Sequence, residues 1–441
     1  MKVLWVCNIM LPAVAKHLNR EVSNREGWLT GLADTLLRKG AGVELALAFP
    51  VDGELDGGKW MVPFDLGTGG QKEVLCYGFY ENTMDIEQHD EEVGGRLLKI
   101  LEDYKPDVVH CFGTEYDHSF VLVQVWNPEK ILIGMQGVCG AIADAYFADL
   151  PEKVINGVTF RDFLKKDNIR QQKEKFEKRS LREKRTLQAA KHVTGRTDLD
   201  KSYCEEINPQ ITYHRMNETL RSEFYEGKWE AAKCEKYSIF VSQGDYPIKG
   251  LHYMLGAMPE ILKVYPGAKL YVAGNSIVNW STWKDKIKIS SYGKYLRELM
   301  KRYGLQDKVF FTGKLDAKGM KERMLKSHLF VCCSAMENSP NSLGEAMLLG
   351  VPCVTADVGG VPTLFRDRED GIVYAGHKSK SGQEAKAVQT FGLSQAVLSM
   401  WGDEAQMLEY CENARKHGRE THDGNKNFER LMEIYCQLSG E

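Results

Sequence analysis

The feature that most constrains this chain is an alternation of short apolar runs with amphipathic ones, which runs through once and then restarts. In the first half "KVLWVCN" (2–8), "GVELALAF" (42–49), "EVLCYGFY" (73–80), "PDVVHCFG" (106–113), "KILIGMQG" (130–137) and "KHVTG" (191–195) read as strands. Helical periodicity covers 27–40, with Trp28, Leu32 and Leu36 on one face, and again about 90–104. The second series has strands at 237–243, 268–275, 308–315, 329–334 and 352–356, and helices at 250–265 and 316–327. Such alternation implies parallel strands with helical crossovers, hence an α/β chain of two doubly wound units. The boundaries expected are 1–225, 226–416 and a closing segment 417–441, with helices near 403–416 and 425–438. Ligands of open parallel sheets bind beyond the carboxyl ends of the strands, and two such sheets would offer a cleft between them.

Two units also suit the length of 441 residues, because single cores seldom grow that large. A net charge of −3, with 27% charged residues, argues against nucleic acid as the partner. Eleven cysteines without C-x-x-C spacing point to a reduced, cytoplasmic chain, and Cys332 and Cys333 in "LFVCCS" read as small core residues. The apolar start lacks the basic leader of a signal peptide and reads as a first strand. Segment 161–191 carries twelve Lys or Arg against five Asp or Glu, so it is either a solvated helix or a face for an anionic membrane. Segment 276–300 exceeds an ordinary connection and reads equally as cleft lining or surface elaboration.

One strand end stands out. "SAMENSPNSLGEAMLLG" sets Glu337 and Glu345 around a run of small and polar residues after strand 329–334. Ser342 and Glu345 have capping-box spacing, and Ser339 before Pro340 is an alternative N-cap. Capping leaves Glu337 unexplained. A helix beginning here aims unpaired N–H groups at the strand end, which suits an anion. The dipole alone is worth only ~0.3–1 kcal/mol, so a diphosphate would need a nearby cation. Lys249, in the loop after strand 237–243, is the candidate; a cation at a helix start opposes the dipole and otherwise lacks a reason to be there.

Glu337 and Glu345, separated by seven residues and followed by "AMLLGVPCVTADVGGVPTLF", resemble the signature of retaining glycosyltransferases of family 4, with the two-domain GT-B fold. The resemblance takes in "REGWLTGLADTLLRKG", "PDVVHCFG", "IKG" (248–250), "LYVAGN", "VFFTG" and "THDGNKNFERLMEIYCQL", the last similar to a helix that crosses back to the first domain. It implies transfer of a sugar from a nucleoside-diphosphate sugar to an acceptor hydroxyl with retention, by front-face attack, without cofactor or metal. The donor expected is a UDP-sugar ahead of a GDP-sugar, and the acceptor a glycan or lipid-linked glycan in polysaccharide or glycoconjugate assembly.

Carried over by position, the resemblance implies that Glu345 holds the donor ribose, Glu337 contacts the sugar and Lys249 neutralises the departing diphosphate. Asn338, Ser339, Asn341, Ser342, Leu343 and Gly344 would line the donor through their backbone, and Gly27 would let the first domain approach the phosphates. Asn275 and Leu315, closing strands 268–275 and 308–315, are assigned to the same side.

Two departures matter. Gly244 stands where the family usually has an arginine, and Arg196 is the expected replacement. Phe112 stands where a second histidine is usual, so His118 is either the sugar-contacting histidine, with Glu115 beside it, or a core residue. His110 reads as a core residue, and Gln136 as an acceptor-side one. A non-catalytic nucleotide-sugar binder and a GT-B epimerase are the alternatives; a dinucleotide-binding dehydrogenase lacks its G-x-G-x-x-G here.

Overall fold

A computed structural model describes residues 1–22, 27–66, 70–83, 85–376 and 383–440, with 383–388 as backbone only. Arg25 and Glu26, at the head of "REGWLTGLADTLLRKG", lie outside the described residues. The chain divides into two compact units: residues 1–140, 177–221 and 422–441 form one, and 141–176 with 222–421 form the other. Segment 141–176 therefore belongs with the second unit, whereas the linear pattern assigned it to the first.

The first unit is built on an eight-stranded sheet of β1 (Lys2–Val6), β2 (Glu44–Val51), β3 (Lys59–Asp65), β4 (Gln71–Tyr80), β5 (Val108–Phe112), β6 (Ile131–Gly134), β7 (His192–Gly195) and β8 (Thr212–Arg215). Its order is β3-β4-β2-β1-β5-β6-β7-β8, parallel throughout except for β3 against β4. Central strands such as β5 are buried at every position, so they are continuous apolar runs rather than alternating ones. The edge strand β3, "KWMVPFD", escapes that signature. Only alternate residues are covered, and Pro63, which cannot donate to a ladder, sits in it. β8, "TYHR", is a polar edge and equally silent.

The second unit carries β9 (Glu235–Val241), β10 (Lys269–Val272), β11 (Val309–Phe311), β12 (Ser327–Cys332), β13 (Cys353–Asp357) and β14 (Ile372–Ala375). All pairs are parallel, in the order β11-β10-β9-β12-β13-β14. The order reverses between β9 and β12, and crossovers leave on opposite faces there, opening a crevice beyond the strand ends. Segment 276–300 resolves into a short helix, Trp283–Lys288, and most of the β10–β11 crossover helix, Ser291–Tyr303. Segment 161–191 is two helices, Phe160–Lys165 and Ile169–Ala189, broken at Lys166, whose φ is +48°.

The last helix, Gly424–Ser439, packs into the core of the first unit, where Leu431, Ile434 and Tyr435 are buried. The Tyr435 hydroxyl accepts from Trp5 Nε1 at 2.8 Å and lies 2.7 Å from His110 Nδ1. Burial lowers the His110 pKa to about 3, so the ring is neutral and its Nδ1 accepts from the hydroxyl. One phenol thus joins β1, β5 and the last helix. Tyr435→Phe leaves a buried indole N–H and a buried ring nitrogen without partners, each costing about 1–3 kcal/mol. Urea unfolding should show the loss in midpoint with an unchanged slope.

Candidate functional site

β12 ends at Cys332, and the chain then turns through Ser334 and Glu337 into the helix Asn341–Leu349. The helix starts with Pro340 at the N-cap position and no side-chain cap. Neither expected cap forms, because Asn341 and Ser342 are already inside the first turn. Ser342 Oγ instead accepts from Ser242 Oγ at 3.0 Å, just beyond β9. Glu345 is buried to 3% exposure, deeper than an exposed capping carboxylate would be.

The loop after β9 is pressed against this turn. Ala335 N donates to Ile248 O at 2.7 Å, and Gly250 opens the helix Leu251–Val264 at φ +69°. A Cβ at Gly250 would stand 1.8 Å from the Cys333 carbonyl oxygen, so only glycine permits the approach. On the other side Gly360 N donates to Glu337 O at 3.0 Å, and a Cβ on Gly359 (φ +55°) would lie 2.0 Å from that oxygen. The backbone of Glu337 is clamped from both sides. The reading from sequence singled out neither Gly359 nor Gly360 for this, although "VGG" after an apolar strand marks a turn with close backbone approach.

The clamp brings Lys249 Nζ to 2.6 Å from Glu337 Oε1, which also accepts from Ser334 Oγ at 2.7 Å. Burial works against the ammonium, but the Glu337 carboxylate overrides it and holds the Lys249 pKa above its ordinary value. The two side chains keep 27% and 14% exposure, so the pair sits at the crevice mouth and not in the core. Asn338 is buried beside it, and Ser339, Asn341 and Ser342 are half-buried, while Leu343 and Gly344 are buried in the helix. Exposed Asn275 and half-buried Leu315 follow β10 and β11 on the same carboxyl edge, where Gly274 N donates to Gly313 O at 2.9 Å. The edge therefore brings the Lys249–Glu337 ion pair beside the head of a helix.

Gly244 is buried, and a Cβ there would meet Leu251 Cδ2 at 2.6 Å and Val272 Cγ1 at 2.9 Å. No arginine fits. Arg196, the expected replacement, lies in the first unit, is 8% exposed, and pairs with buried Glu218. Its guanidinium also donates to Gln136 O at 3.3 Å and lies over the Trp28 ring.

The remaining expected residues collect at the carboxyl edge of the first sheet. Asn8 beyond β1 donates to Gln136 Oε1 at 3.0 Å and to the Tyr116 hydroxyl at 3.4 Å. Glu115 folds back to accept from Thr114 N at 3.1 Å. Gly27 begins the helix Gly27–Lys39, where a Cβ would run into the Arg221 stem at 2.5 Å. His118 is fully buried, stacked on Tyr116, and paired through Nδ1 with buried Glu81; it presents no surface to a ligand within its unit. Glu183, on a helix the sequence marks as solvated, is also fully buried. It accepts from Thr114 Oγ1 at 2.6 Å and Cys139 N at 3.0 Å, and burial pushes its carboxyl up to about 7.

Residues 222–406 match the family model described as glycosyl transferases group 1. A putative glycosyltransferase, YtcC of Bacillus subtilis, is 26% identical over 43% of this chain and 42% of its own length. The chain thus spans less than half of that relative. Among solved structures, a sucrose-phosphate synthase from Thermosynechococcus elongatus superposes with a TM-score of 0.67 over 99% of both chains at 15% identity. Anabaena HepE in complex with UDP-glucose gives 0.62 over 98% of this chain and 99% of its own, at 14% identity. The fold is GT-B.

Burial alone would strip the His118 proton, but the Glu81 carboxylate overrides it and raises the pKa from 6.5 to about 10. Burial likewise works against the Glu81 anion, and the charge of His118 overrides it, leaving Glu81 below its ordinary 4.5. The histidine's contribution to stability is complete below pH 6.5 and is lost as pH rises toward 10; the glutamate's is present above 4.5 and is lost in acid. Folding stability measured by denaturant should therefore fall between pH 7 and 9, with the fall reduced in Glu81→Gln/His118→Gln. Removing one partner alone should cost about 3–5 kcal/mol. An unchanged pH slope in the double variant would take the pair out of the account.

Proposed function

We propose that this chain is a retaining glycosyltransferase that moves a sugar from a nucleoside-diphosphate sugar to an acceptor hydroxyl. The observation that carries the reading is the Lys249–Glu337 pair, fixed by backbone contacts beside the head of the helix Asn341–Leu349, at the carboxyl edge of a parallel sheet. The match of residues 222–406 to a glycosyltransferase family model supports it.

Each part has a task in that chemistry. The bond from the anomeric carbon to the diphosphate oxygen breaks, and negative charge grows on the leaving group. Lys249, already protonated beside Glu337, supplies a positive charge for it, and the N–H groups of Asn341 and Ser342 at the helix head add oriented donors, whereas Leu343 N and Gly344 N already donate to Pro340 O. Glu337, as an acceptor held by Ser334, is suited to sugar hydroxyls. Glu345, in the second turn of the same helix, is assigned to the donor ribose. UDP is the preferred nucleotide, in keeping with the UDP-glucose complex of HepE, and the acceptor is a glycan or a lipid-linked glycan. Gly244 favours one second reading, nucleotide-sugar binding without transfer, since the space for an additional cation is filled by Leu251 and Val272.

Lys249→Ala should lower kcat for sugar transfer by at least a hundredfold, consistent with ~2.7–4 kcal/mol for a lost transition-state donor, while the melting temperature shifts little. Glu345→Ala should instead weaken UDP binding, measured by calorimetry, by about tenfold or more. Donor turnover at wild-type rates in Lys249→Ala would remove its role. UDP-sugar binding with no transfer to any glycan by the unaltered protein would leave the second reading in place.

A further inference from the structure

Away from this site, the second unit builds a surface from two short helices that carry the same design. Phe160–Lys165 and Trp283–Lys288 each begin with a capping box, Thr159 with Asp162 and Thr282 with Asp285. Each then presents an aromatic residue at the first helical position and lysines in the last turn. The two helices pack against each other. Asp162, 1% exposed, caps its own helix and ties it to the start of the helix Ser291–Tyr303 that follows Trp283–Lys288: it accepts from Ser291 N at 2.8 Å, while Ser291 Oγ donates to Val154 O at 2.8 Å.

The side chains left outside are the wrong kind for water. Trp283 is 76% exposed and Phe163 71%, the two most exposed large hydrophobic residues among those described. Leu164, Phe160 and Val158 are exposed beside them. Around this cluster stand exposed Lys165, Lys166, Lys284, Lys286 and Lys288. The local acids do not neutralise them, because Asp162 and Asp285 are held in their capping boxes and Asp167 is paired with Arg161. Among the described residues, Lys165, Lys166, Lys284 and Lys288 pair with no carboxylate. This surface takes in the start of the basic segment 161–191; the longer helix of that segment, Ile169–Ala189, pairs Arg170 with Glu152, Arg179 with Glu87 and Arg182 with Asp117, and among its described large hydrophobic residues only Leu181 is exposed.

We propose that this aromatic and lysine-rimmed surface docks on the headgroup region of an anionic lipid bilayer. The charge complementarity selects the occupant. Aromatic side chains favour the interface between headgroup and acyl chain, and unpaired lysines around them favour anionic headgroups over zwitterionic ones. Among the described residues no helix is long and apolar enough to cross a membrane, and this surface needs none because it lies on the bilayer. The proposal stands independently of the transferase reading.

The test is flotation of the full chain with vesicles of phosphatidylcholine alone, or with about one third phosphatidylglycerol, at salt from about 50 to 500 mM. The protein should float with the anionic vesicles only, and less as salt rises. Phe163→Ser/Trp283→Ser should lose about tenfold or more in partitioning. Lys284→Gln/Lys286→Gln should lose about fivefold per lysine, whereas Lys318→Gln/Lys326→Gln on the helix Ala317–Lys326 should not. Circular dichroism checks that each variant is folded. Failure of the unaltered chain to bind anionic vesicles would overturn the proposal, as would equal binding by the aromatic variant. So would a change of oligomeric mass in that variant by light scattering, which would make the surface a contact between copies of this chain.

Discussion

The second unit depends on a backbone contact that no side chain could replace. The Cys333 carbonyl oxygen occupies the space where any residue but glycine at 250 would carry its Cβ. This contact decides how far the loop after β9 can descend toward the end of β12, and so where Lys249 comes to rest. Gly359 sets the same limit for Glu337 from the direction of β13. The charged pair is thus positioned by main chain on both sides, which fixes it more closely than packing of flexible side chains would. A phosphate arriving there would meet a lysine whose stem is already ordered, so the entropy of holding it is lost on folding and not on binding.

Charge in the first unit obeys a different rule. His110 and His118 lie eight positions apart, and both are fully buried. His110 faces a phenol and is neutral; His118 faces a carboxylate and is charged. Burial is common to both and decides neither. The partner does, since a hydroxyl can serve a neutral ring while a buried carboxylate requires a cation.

This also marks what could be read from residues in order. Parallel strands at the centre of each sheet are legible because burial on both faces leaves a continuous apolar run, as in β5 and β12. β3, β8 and β14 were not read: all three are edge strands whose buried positions are interrupted by half-buried or exposed ones. The strand ends that hold Lys249, Glu337 and Glu345 followed from the alternation and from the unexplained Glu337. The capping box did not survive, because spacing cannot tell a cap from the first turn when Pro340 precedes it. Arg196 was expected to replace the arginine missing at Gly244, and its pairing with Glu218, 22 positions away, leaves no local signal in the sequence. Segment 141–176 read as part of the first unit because what binds it to the second, Ala148 O with His252 and Asp149 with Tyr253, spans 104 positions.

The bond between Trp5 and Tyr435 spans 430 positions. Its consequence is one of timing. β1 and β5 are synthesised long before the helix that covers them, and the whole second unit is made in between. β1 and β5 must wait with the indole of Trp5 and the ring of His110 unsatisfied, while the whole second unit has the contacts it needs to close. Closing loops of that length is slow, and apolar strands left open meanwhile are prone to associate. The order of folding should therefore differ from the order of synthesis, with the unit that holds β1 completed after the second unit.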